Sequence, residues 1–203
     1  MMATPENHPE TETLAELYTL LARCFERPDD DLATAIESGR LDAAIRERAE
    51  SLGIELGEPS RPDEPLEAHL RTFESFEGPA APLAESVYKE WWDGTDRGIH
   101  SGPPAHDMER RYEAADIEAP EGYAADHLAV ILEYASLVLE TDAAAYPSFQ
   151  ECHLDWIDAL EERVDETCDV PYYRWAVTTL QAVLDRTDEH ISDDPSQQRR
   201  ETQ

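Results

Sequence analysis

Along most of the chain apolar residues recur every three or four positions, the spacing of one face of a helix. The longest apolar run, Tyr123 to Glu140, is different. Leu128, Ile131, Leu132, Ala135, Val138 and Leu139 make a helical stripe, and Val130, Tyr134 and Leu137 fill much of the remaining circumference. A helix apolar on most sides belongs inside a domain. At about 1.5 Å per residue it spans roughly 27 Å, close to the diameter of a small domain. This stretch is therefore predicted to be the central helix. Asp126 and His127 would lie in its first turn, where an acid suits the helix dipole.

The rest of the pattern supplies the surrounding helices. Leu14, Leu17, Tyr18, Leu21 and Phe25 predict an amphipathic helix from Glu10 to Arg27, ended by Pro28. Two short helices follow, near 29–38 and 41–52, then a loop from Gly53 to Pro65 punctuated by proline and glycine. A helix is expected from Leu66 to Phe76, and a short amphipathic piece ends at Tyr88. Residues 91–105 form the longest irregular segment, and Pro104 suits the first position of a helix reaching Ala115. One long helix is predicted from Pro147 to Thr167 and a last one over 171–188. No strand-like alternation, phosphate-binding glycine loop or internal repeat occurs. The expectation is an all-α domain over 10–190 with eight or more helices and no heptad bundle. Residues 1–9 read as a disordered lead-in and 191–203 as a disordered polar tail.

Charge changes the picture. Against 16 basic residues stand 47 acidic ones, a formal net charge of −31, and Lys89 is the only lysine. Acid spread along the whole chain predicts adaptation to a salty cytoplasm and argues against nucleic acid or an anionic membrane as partner. With 40% hydrophobic residues in periodic blocks, the chain is expected to fold. Cys24, Cys152 and Cys168 are too few and too far apart for a disulfide framework, which fits a reducing cytoplasm. The first residues carry neither the basic nor the apolar region of a signal peptide. No apolar run is long enough to span a membrane.

Catalytic and metal-binding patterns are lacking. None of the seven histidines follows a glutamate by three, so the di-metal helical-bundle pattern is missing. There is no HExxH and no GxSxG. Cys152 and His153 are adjacent and diverge on a helix, a poor chelate for zinc. Cys24 falls on an apolar helix face and reads as core. The expectation is a binding protein with no cofactor and no metal, not an enzyme.

Four landmarks carry a family resemblance. The opening helix reads Leu-Tyr-x-Leu-Leu-Ala-x-x-Phe and is followed by Pro28. Phe76-Glu77-Gly78-Pro79 leads through Ala81-Pro82 to Glu85-Ser86-Val87-Tyr88. Asp126-His127-Leu128 heads the apolar run, after a short helix containing Tyr112. His153-Leu154-x-Trp156 precedes Pro171-Tyr172-Tyr173-Arg174. In order and spacing the chain resembles the TorD/DmsD/NarJ-type chaperones, all-helical proteins that serve molybdenum enzymes of the dimethyl-sulfoxide-reductase class. It departs from the family at its Glu-Pro-x-Asp-His motif. Tyr123 and Ala124 stand at the Glu and Pro positions, and the nearest upstream acid is Glu121.

The resemblance implies a cytoplasmic chaperone that binds an immature molybdoenzyme catalytic subunit and its twin-arginine signal peptide until the cofactor is inserted. The residues it assigns to the partner surface are Pro82, Glu85, Ser86, Tyr88, Asp126 and His127, with Trp91, Trp92, Gly102 and Glu121 as weaker members. Arginines seek carboxylates in bidentate geometry, so Glu85 and Asp126 are the expected acids. Apolar burial between helices would supply the rest. Ser86 and Tyr88 also suit turn capping and packing, Asp126 and His127 a structural hydrogen bond, and the two tryptophans a loop pinned to the body. Two alternatives remain: a nitrate-reductase-type chaperone that grips the enzyme without a signal peptide, and a helical adaptor with another partner. Either a monomer or a dimer exchanging segments through a long loop is compatible with the pattern.

Overall fold

The computed structural model describes residues 9–75, 78–89, 102–117 and 122–192. The elements in order are α1 (Pro9–Phe25), α2 (Asp30–Glu37), α3 (Arg40–Ser51), α4 (Pro65–Phe73), α5 (Glu85–Tyr88), α6 (Pro103–Ala114), α7 (Leu128–Asp142), a 3-10 turn (Ala143–Ala145), α8 (Tyr146–His153), α9 (Ile157–Thr167) and α10 (Pro171–Ser192). Among the described residues the only β feature is one antiparallel bridge between Ala84 and His127. No helix among them is long and apolar enough to cross a membrane. The protein is all-α.

α7 is the central helix. Leu128 to Leu132, Ala135, Ser136, Val138 and Leu139 are all buried on it. α1 packs along α7, with α3 and α10 against α1 and α9 against α10. Leu14, Leu17, Tyr18, Leu21 and Phe25 of α1 are fully buried. Burying each such side chain stabilises the fold by roughly 1.5–3 kcal/mol. Helix propensities differ by only about 0.7 kcal/mol among ordinary residues, so packing, not propensity, sets this architecture. Local signals fix the ends. Asp29 caps α2 by accepting the Leu32 N–H at 2.8 Å. Gly39 precedes α3 with φ of +73°, and a Cβ there would meet the Arg61 guanidinium at 2.6 Å.

Four boundaries differ from the sequence expectation. α7 starts at Leu128, so Asp126 lies outside the helix and His127 is its N-cap, its Nδ1 accepting the Ala129 N–H at 3.2 Å. The preceding residues are drawn instead into the bridge with Ala84. α4 ends at Phe73, short of the expected Phe76, a position outside the described residues. The single helix expected over 147–167 is two. The Trp156 indole N–H donates to the His153 carbonyl at 2.7 Å and closes the end of α8. α10 runs on to Ser192, because Thr187 and Ile191 extend its buried stripe. Ile191, expected to open the tail, is therefore part of the core.

Candidate functional site

Two of the landmark segments meet at one place. The Glu85 N–H donates to the Asp126 carbonyl at 3.1 Å, and the Leu128 N–H donates to the Leu83 carbonyl at 2.9 Å. The Ser86 N–H donates to Asp126 Oδ2 at 3.2 Å. α5 is preceded by Ala84, which has no side chain able to cap it. Asp126 supplies that acceptor from the other segment, and the negative charge suits the first turn. The structure thus brings Glu85, Ser86, Asp126 and His127 together. It also buries three of them: Asp126 is 0%, Glu85 1% and Ser86 6% exposed. His127 stays half-buried beside the Tyr123 ring, 4.6 Å between centroids. The Tyr123 hydroxyl in turn accepts the Arg27 N–H at 2.9 Å.

Behind Glu85 lies a charged network joining α5, α6 and α8. Glu85 Oε2 is 2.8 Å from His153 Nδ1, and Glu85 Oε1 is 3.1 Å from Lys89 Nζ. Lys89 also donates to Asp155 Oδ1 at 2.6 Å and to the Cys152 carbonyl. His153 Nε2 faces Asp107 Oδ2 at 2.9 Å and Arg111 Nε at 3.1 Å, while Arg111 donates to Asp107 at 2.6 Å. Burial alone would raise the Asp107 carboxyl. Hydrogen bonds from His153, Arg111 and Arg110 outweigh it and hold the group well below the usual carboxylate range. Each buried carboxylate is compensated, as burial of charge requires.

Around this network the surface is partly apolar. Tyr88 is half-buried, its ring stacked on Trp156 at 5.1 Å, and burial pushes its hydroxyl up. Val87 is 39% exposed beside it. Pro82 is half-buried in the strand-like lead to α5, which Arg163 anchors by donating to the Ala80 carbonyl at 2.9 Å. Gly102, with φ of +101°, sits at the N-cap of α6. Trp91, Trp92 and Glu121 lie outside the described residues.

Sequence reasoning missed Lys89, Asp107, Arg111 and the role of His153. Local signals were available: Glu85–Lys89 and Asp107–Arg111 have the i,i+4 spacing of acid–base pairs, and Tyr146, Phe149 and His153 share the helical spacing of a buried stripe. Among the described residues no group of histidine, cysteine and carboxylate side chains is arranged to hold a metal. Cys24 is buried against the Tyr172 hydroxyl at 3.7 Å, and desolvation pushes its thiol up to about 12, as suits a core position.

Residues 38–169, well over half of the chain, match the family model of the nitrate reductase delta subunit. The chain belongs to that family. The nitrate reductase delta subunit family comprises the NarJ/TorD-type chaperones, so this protein is a maturation chaperone for a redox enzyme and not a catalyst. Its partner is a molybdoenzyme subunit. Among solved structures, a candidate redox enzyme maturation protein from Archaeoglobus fulgidus is similar with a TM-score of 0.49 and 17% identity. That similarity covers 88% of this chain and 93% of the other. A comparison with curated protein sequences gave no match.

Proposed function

We propose that the protein is a cytoplasmic chaperone for a molybdopterin oxidoreductase of the dimethyl-sulfoxide-reductase class. It holds the immature catalytic subunit, with its twin-arginine leader, until the cofactor is in place. The observation that carries this reading is the junction of Glu85–Tyr88 with Asp126–Leu128. There carboxylates lie next to an exposed valine and a tyrosine–tryptophan stack. A leader offers the complementary pair of groups, two guanidiniums and an apolar helix-prone stretch. Pro82, Val87, Tyr88 and His127 form the accessible part, and Glu85, Ser86 and Asp126 shape it from beneath. In a salty cytoplasm long-range attraction is screened, so affinity rests on apolar burial plus direct ionic contact.

The family match favours a second reading. A nitrate-reductase-type client retained in the cytoplasm would be gripped by its body, with no leader involved. Capture on the tagged chain from the native host, at the host's own salt concentration and with partners identified by mass spectrometry, separates the two. An uncleaved twin-arginine leader on the captured molybdoenzyme subunit is the expected result. The same kind of subunit without a leader supports the second reading. Absence of any molybdoenzyme, in cells that express one, sinks both and leaves a helical adaptor.

A further inference from the structure

We infer that Lys89 is an internal placeholder for the client's cation, occupying a preformed cation receptor that an incoming arginine takes over. The inference rests on the leader-binding reading above and assigns it a mode of entry.

The receptor is built by three acceptors from two parts of the chain. Glu85 Oε1 comes from α5, Asp155 Oδ1 from the link between α8 and α9, and the Cys152 carbonyl from the last turn of α8. That last-turn carbonyl has no partner within its own helix and carries the negative end of the helix dipole. Glu85 is fixed from behind by His153 at 2.8 Å, so its free oxygen stays aimed at the ammonium. Asp155 is half-exposed, and the Lys89 side chain is 23% exposed. The receptor is thus closed on the Glu85 side and open to water on the Asp155 side.

The occupant is unusual in this chain. Lys89 is the only lysine, and every other base is an arginine. An ammonium is a strongly hydrated point charge on a flexible stem, whereas a guanidinium is a weakly hydrated planar fork with five donors. Lys89 is therefore the easier cation to return to water, and a guanidinium is the better fit to two carboxylates and a carbonyl. Exchange of one cation for another never leaves Glu85 buried and uncompensated, the state that would cost most. It also releases the i,i+4 side-chain tie between Lys89 and Glu85, while the Lys89 N–H still donates to the Glu85 carbonyl at 3.1 Å. Burial of Glu85 is then no obstacle to its meeting a client arginine: the route in is displacement.

The test is calorimetric titration of the full-length protein in concentrated KCl. The probe is a synthetic peptide with an Arg-Arg pair ahead of a leucine- and alanine-rich stretch, and a Lys-Lys version serves for comparison. Lys89→Gln removes the placeholder and is expected to bind the Arg-Arg peptide about three- to tenfold more tightly than wild type. Lys89→Arg strengthens the placeholder and is expected to bind it more weakly by a similar factor. Adding Glu85→Gln to Lys89→Gln should abolish the gain, and the gain should be smaller for the Lys-Lys peptide. Lys89→Arg keeps the charge, so it remains informative even where Lys89→Gln unfolds. If wild type binds and neither substitution moves affinity in the stated direction, the placeholder is overturned and leader binding stands. If no helical variant binds the peptide, both fall.

Discussion

The Asp126 carboxylate accepts the Ser86 backbone N–H at 3.2 Å, across 40 positions of sequence. With the Asp126 carbonyl on the Glu85 N–H, it pins the start of α5 to the entrance of α7. The acid thus serves as the cap that Ala84 cannot be. Replacing Asp126 with Ala should lower the unfolding free energy by about 1–2 kcal/mol, the usual worth of a lost cap. Asp126→Asn keeps an accepting oxygen and should lose about half of that. Chemical denaturation in KCl, read by circular dichroism, decides it. Equal stability of Asp126→Ala and wild type would show that the bond is incidental.

His153 stands between two carboxylates, and Glu85 on one side is 1% exposed. Removal of the imidazole leaves a buried acid with fewer partners, a change of about 3 kcal/mol in comparable buried pairs. His153→Ala is therefore expected to be strongly destabilising. His153→Ala combined with Glu85→Gln should lose less than the sum of the two single changes. Strict additivity in that cycle would mean that the two residues do not act as a unit.

His69 is one source of the pH dependence of stability. It is 2% exposed, and its Nδ1 has no hydrogen-bond partner. Burial first, then the charges of His127 and Arg27, push its pKa down to about 3. Glu74 lies 3.4 Å from Nε2 but is 41% exposed and does not offset this. The unfolded chain takes up a proton near the ordinary histidine value of about 6.5, while the folded chain refuses it until about 3. The contribution is therefore complete above about pH 6.5 and drains away as pH falls towards 3, at about 1.4 kcal/mol per pH unit. His69→Leu should flatten this slope by one proton in denaturation series at stepped pH. An unchanged slope would place the acid sensitivity elsewhere.

The net charge of −31 makes salt a stabiliser. At about 0.01 M salt the screening length is about 30 Å and repulsion spans the molecule; at about 1 M it is about 3 Å. The melting temperature should climb steeply with KCl over that range and then level off. A flat profile would mean that the acids are compensated locally and the charge is no adaptation.

Much of this fold is legible in the sequence because helical periodicity is. The stripe Leu14, Leu17, Tyr18, Leu21 and Phe25 lies buried on α1, and the all-round apolar run became α7. The boundaries moved where a side chain finds a partner that periodicity does not show, near in sequence or far. Periodicity carries through His153–Trp156, yet the Trp156 indole turns back on the His153 carbonyl and splits the helix. The polar run Asp185 to His190 hides Thr187, which is buried beside the Tyr18 hydroxyl at 3.2 Å and carries α10 onward. The segments of the candidate site could be named, but not their bonding. That Asp126 would cap α5, or that His153 would back Glu85, depends on contacts between residues 40 and 68 positions apart, which no local pattern encodes.

Cys152 offers a practical consequence. Cys24 and Cys168 are buried and Cys152 is exposed, so one thiol of the three is open to reagents. Its own backbone carbonyl holds Lys89. A maleimide dye placed on the unmutated protein would therefore sit one bond network away from the receptor, a ready-made optical probe of what enters it.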